Sequence, residues 1–172
     1  MPTTPAFENL EMGPCDVTFK GTDLGLTKGG VDVEFGTEVT PIVADQYGDS
    51  VIDNVIKGRS IKVTVPMAER DLDRLASVFP GSSVVGTTTK RLVVNAAVGT
   101  SLRALAGALI LHPHAVPAAD KTKDLTVPLA MAKGDIKFSY KSDDQRVYAV
   151  EFEGFVDLDT GELFNMGDPA AA

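Results

Sequence analysis

The sequence predicts a mainly β, antiparallel domain with one flanking α-helix. Three observations predict it. First, apolar and polar residues alternate with period two over long stretches. Val31, Val33 and Phe35 alternate with Asp32 and Glu34; Ile61, Val63, Val65 and Met67 with Ser60, Lys62, Thr64 and Pro66; Ile136, Phe138 and Tyr140 with Lys137 and Ser139. Such alternation puts an apolar and a polar face on each strand, as a half-buried antiparallel sheet needs. Second, turn formers punctuate the chain at Lys20-Gly21-Thr22-Asp23, Lys28-Gly29-Gly30, Lys141-Ser142-Asp143-Asp144-Gln145 and Asp159-Thr160-Gly161. Third, one segment changes period: Ala68, Leu72, Leu75, Ala76 and Phe79 recur at helical spacing, and Pro80-Gly81 stops the pattern. Glu69, Asp71 and Asp73 suit the positive end of a helix dipole, so residues 68–78 are expected to be the one clear helix.

Two long strands form the centre of this reading, residues 31–44 and 55–66. They are joined by Asp45, Gln46, Tyr47, Gly48, Asp49, Ser50, Val51, Ile52, Asp53 and Asn54. The joining loop is long for a hairpin and mixes polar turn formers with Tyr47, Val51 and Ile52. Apolar residues on a projecting loop need something to pack against, which points to another subunit. Gly36 suggests a bulge in the first long strand. Pro41 suggests a sheet edge, because proline donates no ladder hydrogen bond.

The remaining elements follow in order. Residues 1–14 carry three prolines and read as an N-terminal arm, either simply disordered or ordered by a neighbouring subunit. Residues 16–19 and 24–27 are short strands. Residues 81–89 are a loop and 91–98 a strand. Residues 101–112 fit both a helix and a strand; a buried strand is preferred, because the flanking strand needs a companion. Residues 114–123 are a loop and 125–132 an extended segment around Pro128. Residues 135–140 and 146–157 form a C-terminal hairpin. Residues 162–166 are a last short stretch, and 168–172 a small-residue tail.

Composition bounds the function. The chain has 172 residues, 44% hydrophobic and 23% charged, which suits one domain with a sizeable core. Its net charge is -8 and its isoelectric point about 4.7, so it does not wrap nucleic acid by phosphate neutralisation. Cys15 is alone, which rules out an intrachain disulfide. No apolar run of about 18 residues is present to make a transmembrane helix, and residues 1–5 lack the features of a signal peptide. Synthesis and retention in a cytoplasm, until release, is the expectation.

Candidate chemistry is weak throughout. Residues 81–88 have the glycine spacing of a phosphate-binding loop, but Thr87 stands where lysine is needed, and the loop follows a helix. His112-Pro113-His114 offers two imidazoles, yet Cys15 is the only other soft ligand and has no spacing signature. No Gly-x-Ser-x-Gly elbow is present. Residues 157–162 begin like a calcium loop but lack its third oxygen-bearing side chain and its flanking helices. Glu69–Arg74 is a mixed charge run suited to surface ion pairs or a subunit contact. No catalytic residue, metal site or cofactor is therefore expected.

Several segments together resemble the tail tube (major tail) proteins of long-tailed bacteriophages, especially the non-contractile type. They are the opening hairpin at 16–31, Asp45-Gln46-Tyr47-Gly48 after a long strand, and residues 58–69, where strand passes into helix. Leu111-His112-Pro113 and the C-terminal strand at 145–157, with Gly161-Glu162-Leu163-Phe164 after it, complete the set. The resemblance covers most of residues 15–167 and rests on strand and turn patterns. It implies a β-sandwich or barrel-like tail-tube domain. Six subunits would close into a ring, and rings would stack into a hollow tube through which DNA passes without specific binding. The expected partners are further copies of the chain and other tail proteins, such as the tape measure and terminator. The expected location is the virion tail, after assembly in the host cytoplasm. On this reading residues 45–54 make subunit or ring contacts, and Asp32 and Glu34 are candidate acidic residues of the lumen. The nearest alternatives are a tail terminator, a type VI secretion tube subunit, or a monomeric β-sandwich binding or decoration module.

Overall fold

The period-two pattern of residues 61–67 becomes burial. In the computed structural model, which describes residues 12–96 and 98–170, strand β4 spans Val51–Met67. Its Ile61, Val63, Val65 and Met67 are all within 2% of full burial. The other elements, in chain order, are β1 (Cys15–Phe19), β2 (Thr22–Asp23), β3 (Asp32–Val43), α1 (Leu72–Val78), β5 (Ser82–Val85), β6 (Arg91–Val94), β7 (Gly107–Pro113), β8 (Leu125–Lys137), β9 (Tyr148–Gly154) and β10 (Asn165–Met166).

One antiparallel sheet runs in the order β2-β1-β7-β8-β9-β4-β3, with β10 paired to β8; β5 and β6 form a separate hairpin. The large sheet is strongly curled. Phe19 on β1 and Phe152 on β9 have β7 and β8 between them in the sheet, yet their rings meet at 5.0 Å between centroids. The segment after β2 ties the curl together. Leu24 N–H donates to the Val17 carbonyl at 2.9 Å, Lys28 N–H to Pro66 at 3.0 Å, and Ala68 N–H to Leu26 at 2.8 Å. Val17, Phe19, Leu24, Leu109, Val127, Met131, Val150 and Phe152 fill the enclosed core with the inner face of β4. The mainly β, antiparallel fold with one helix is thus what the chain adopts.

Local differences from expectation have local causes. The helix starts at Leu72 rather than 68, because Ala68 is still bonded to Leu26 and Asp71 caps the first turn by accepting from Asp73 N–H at 2.9 Å. Residues 81–89 are not wholly a loop: Ser82–Val85 pairs with Arg91–Val94, and the latter strand stops at 94 rather than 98. The Ser82 hydroxyl donates back to the carbonyls of Ala76 and Phe79, which pins this hairpin to the end of α1. Residues 101–112 divide, with a 3-10 turn at Arg103–Leu105 and strand from Gly107. The expected strand at 24–27 is replaced by β2 and a single bridge from Thr27 to Met67.

Strand β8 runs unbroken through Pro128 as far as Lys137, absorbing a register shift between Ala132 and Ile136 where Gly134 takes a φ of 90°. Gly36 is not a bulge. It faces Ser60 in regular register, and a Cβ there would stand 2.5 Å from the Ser60 hydroxyl. Pro41 does lie on an edge, since β3 ends the sheet. Most of the expected N-terminal arm (residues 1–11), and residues 171–172 of the expected tail, lie outside the described residues.

Candidate assembly surface

Strands β3 and β4 pair from Asp32↔Thr64 out to Val43↔Val51. The other neighbour of β4, β9, pairs only with Lys62–Met67. Among the described residues, the outer part of β4 therefore has β3 as its sole strand partner. The result is a two-stranded ribbon continuing beyond the curled body. An isolated two-stranded ribbon is marginal in water and normally needs a further layer to pack on.

The ribbon is apolar where it should be polar. Val39, Ile42, Val43, Val51, Ile52, Val55 and Ile56 are each about half exposed, between 45% and 54%. Register assigns them to faces. Val39 faces Ile56 and Pro41 faces Asn54, whereas the alternate pairs are Thr40 with Val55 and Ile42 with Asp53. Neighbouring pairs on a ribbon point to opposite sides. One side thus carries Val39, Pro41 and Ile56, and the other Ile42 and Val55. Both faces are apolar, and both long edges present unpaired backbone groups. Register shifts between Glu38/Val39 and Ile42/Val43 add twist along the ribbon.

The expected joining loop at 45–54 is shorter than its sequence suggests. Val51, Ile52, Asp53 and Asn54 belong to β4, so they extend the ribbon instead of capping it. Their mixed polarity hid the strand, because a ribbon with both faces apolar does not alternate. Asp45, Gln46 and Tyr47 form a 3-10 turn. Gly48 follows with a φ of 62°, and Asp49 and Ser50 lead into β4. Tyr47 stands 69% exposed at the tip. Asp32 and Glu34 are exposed at the opposite end of β3, where they face Thr64 and Lys62. They do not join the ribbon tip in one site.

The chemical candidates separate. His112 Nδ1 lies 2.5 Å from Asp124 Oδ1, and its Nε2 is 3.0 Å from the Val116 carbonyl. The carboxylate bond, then the carbonyl, raise the imidazole pKa above its usual 6.5. His114 turns instead to Asp16, at 2.9 Å. Each imidazole has its own carboxylate, so the pair does not converge on a metal, and no cluster of three or more metal-ligating side chains occurs among the described residues. Asp124, only 2% exposed, was invisible to motif reading because its partner lies across a loop.

The Cys15 thiol is pushed up by burial and then by neighbouring Asp16, which disfavours the nucleophilic thiolate. Residues 82–85 of the glycine-spaced segment are strand. The carboxylate of Asp157 closes a turn by accepting from Asp159 N–H at 3.0 Å. In the Glu69–Arg74 run, Arg74 pairs with Glu69 and, at 3.9 Å, with Asp71. Asp73 reaches Lys90 at 2.5 Å and ties α1 to the β5–β6 turn.

Comparison with known proteins finds no protein-family model that matches the chain and no matching curated sequence. Among the described residues, no helix is long and apolar enough to cross a membrane.

Proposed function

We propose that this chain is a structural subunit of a bacteriophage tail tube, closing into rings that stack into a hollow conduit for DNA. The observation that carries the reading is the β3–β4 ribbon, apolar and exposed on both faces. One covering partner would leave a face wet, whereas a ring within a stack supplies neighbours on both sides. Taking a half-exposed Val or Ile to full burial stabilises by about 1 kcal/mol. The seven ribbon residues together then contribute on the order of 7 kcal/mol per subunit to association. The open edge of β3 adds a second drive, since a neighbour's strand can continue the sheet, and closure satisfies edges that would otherwise aggregate.

The net charge of -8 suits a wall that DNA passes without sticking, because like charge at the wall repels phosphates. Asp32 and Glu34 are the candidate lumen residues on this reading. Other tail proteins, the tape measure and terminator among them, are its further partners. Its place is the virion tail after assembly in the host cytoplasm. It acts by shape and charge, without a catalytic residue or cofactor.

Negative-stain electron microscopy across a concentration series tests this. Rings with a central hole, or long hollow tubes, are the expected particles. Monomers at every concentration, with or without an added tail-initiator complex, would reject the proposal in favour of a binding or decoration module.

A further inference from the structure

The two faces of the β3–β4 ribbon are alike in being apolar and unlike in charge. At the register shift between Glu38 and Val39 the extra residue, Lys57, belongs to β4, so the alternation of β3 runs through unbroken. Arg59, opposite Thr37, therefore lies on the side of Val39, Pro41 and Ile56. Asn54, opposite Pro41, shares that side. Glu38, opposite Gly58, lies on the side of Ile42 and Val55, and Asp53, opposite Ile42, lies there too. Near its root the ribbon thus has a cation on one face and an anion one rung away on the other. Toward its tip it has an amide and a carboxylate in the same relation. All four side chains belong to exposed residues. The ion pairs among the described residues include neither Arg59 nor Glu38. Asp53 accepts from the Asn54 N–H through Oδ1, which leaves its second oxygen to another donor.

We propose that the ribbon docks on the ribbon of a second copy, face to face and running the same way, with the Arg59 face of one copy on the Glu38 face of the next. This contact names the partner surface for the association proposed above, and it rests on that reading. Each rung then meets the adjacent rung of its neighbour. Arg59 pairs with the partner's Glu38, and the Asn54 amide donates to the partner's Asp53. Between these polar ends, Val39 and Ile56 pack on the partner's Val55 and Ile42. Stacked β layers lie about 10 Å apart, a gap that an arginine and a glutamate span together.

Charge and coverage select this pairing over the two-fold alternatives. Two Glu38 faces laid together oppose carboxylates to carboxylates, Glu38 and Asp53, whichever way the ribbons run, and like charges across an interface repel. Two Arg59 faces laid together leave both Glu38 faces wet, with Ile42 and Val55 uncovered. The unlike pairing matches cation to anion and covers both apolar faces of every copy. Because it joins two different patches, it is heterologous. Each copy gives one face to the neighbour on either side, and the series closes as a ring where the rotation permits or runs on as a filament.

Charge exchange in the full chain tests it, read by sedimentation velocity and negative-stain microscopy over a concentration series. Arg59→Glu and Glu38→Arg, each alone, set like charges on the two facing sides and are expected to raise the concentration needed for association by about tenfold or more. Both positions are exposed, so the unassembled variants keep the wild-type thermal midpoint. The two substitutions combined in one chain restore association. So does an equimolar mixture of the two single variants, since every contact between unlike chains then joins opposite charges. A ribbon that was merely damaged would not recover on mixing. Association unchanged in either single variant, or lost without recovery in the mixture, would overturn the proposal; rings or tubes formed by the wild-type chain would leave the tube reading intact. Recovery on mixing in particles that are not rings would support the contact and reject the tube. Monomers at every concentration, with or without a tail-initiator complex, would reject both.

Discussion

Residues 51–58 and 61–67 lie on one strand, β4, yet their side chains meet opposite environments. The inner half is covered by β9 on its second edge and by the curled core on one face, so Ile61, Val63, Val65 and Met67 vanish from solvent. Among the described residues the outer half has β3 alone, and Val51, Ile52, Val55 and Ile56 stay about half exposed. The residue types are similar, and the difference is the number of layers around them. The inner half has the burial that stabilises a folded chain. The outer half has apolar surface to spare, which is what association between chains uses.

The sharpest way to break this contrast is a charge in the outer half. Ile56→Asp is expected to abolish assembled particles under the electron microscope while leaving the thermal midpoint of the unassembled chain nearly unchanged, since exposed substitutions usually stay within about 0.5 kcal/mol. A large loss of monomer stability would mean that the ribbon packs on its own body. The inner half should respond in the opposite sense. Phe152→Ala, which removes the ring packed on Phe19 at 5.0 Å, is expected to cost about 3–5 kcal/mol in denaturant unfolding.

A smaller effect probes how tightly the curl closes. A Cβ on Gly154 would meet the Ile61 Cγ2 methyl and stand 2.9 Å from Val127 Cγ1. Gly154→Ala is therefore expected to destabilise by about 1–3 kcal/mol through overpacking, and an unchanged urea midpoint would contradict that packing. The smallest effect lies in neither half of β4. His112 has its pKa raised by Asp124 and the Val116 carbonyl. Its folded value exceeds its unfolded value, so the stabilisation is fully present below about pH 6.5 and is lost as pH rises through the folded value. Thermal melts from pH 5.5 to 9 should show wild type losing its advantage over His112→Gln on the alkaline side, and parallel curves would count against the pair.

The same contrast explains what was legible beforehand. A strand with one wet and one dry face announced itself at Ser60–Met67, whose alternate side chains are buried; the alternation at 135–140 ran past its strand, which ends at Lys137 and leaves Phe138 and Tyr140 exposed. The ribbon tip at 51–54 did not announce itself, because apolar residues on both faces erase the period that marks a strand. The helix was legible in existence but not in its start. Ala68 and Leu72 fit one helical face, while Asp71 spends its side chain as a cap and Ala68 its N–H on the sheet. The β5–β6 hairpin was hidden because its anchor is Ser82 bonded to the end of α1. Asp124 was missed because burial of a carboxylate beside an imidazole is a fact of packing, with no spacing along the chain.

By itself, the sequence determined the antiparallel β class, the single helix, the edge position around Pro41 and the acidic character, because periodicity, proline chemistry and charge are local properties. Only the tertiary structure decided that Phe19 and Phe152 meet across the curl and that His112 finds Asp124. It also decided that half of β4 lies bare. Each of these depends on which distant segments share a layer, and layering is set by how the sheet bends rather than by the spacing of residues along it.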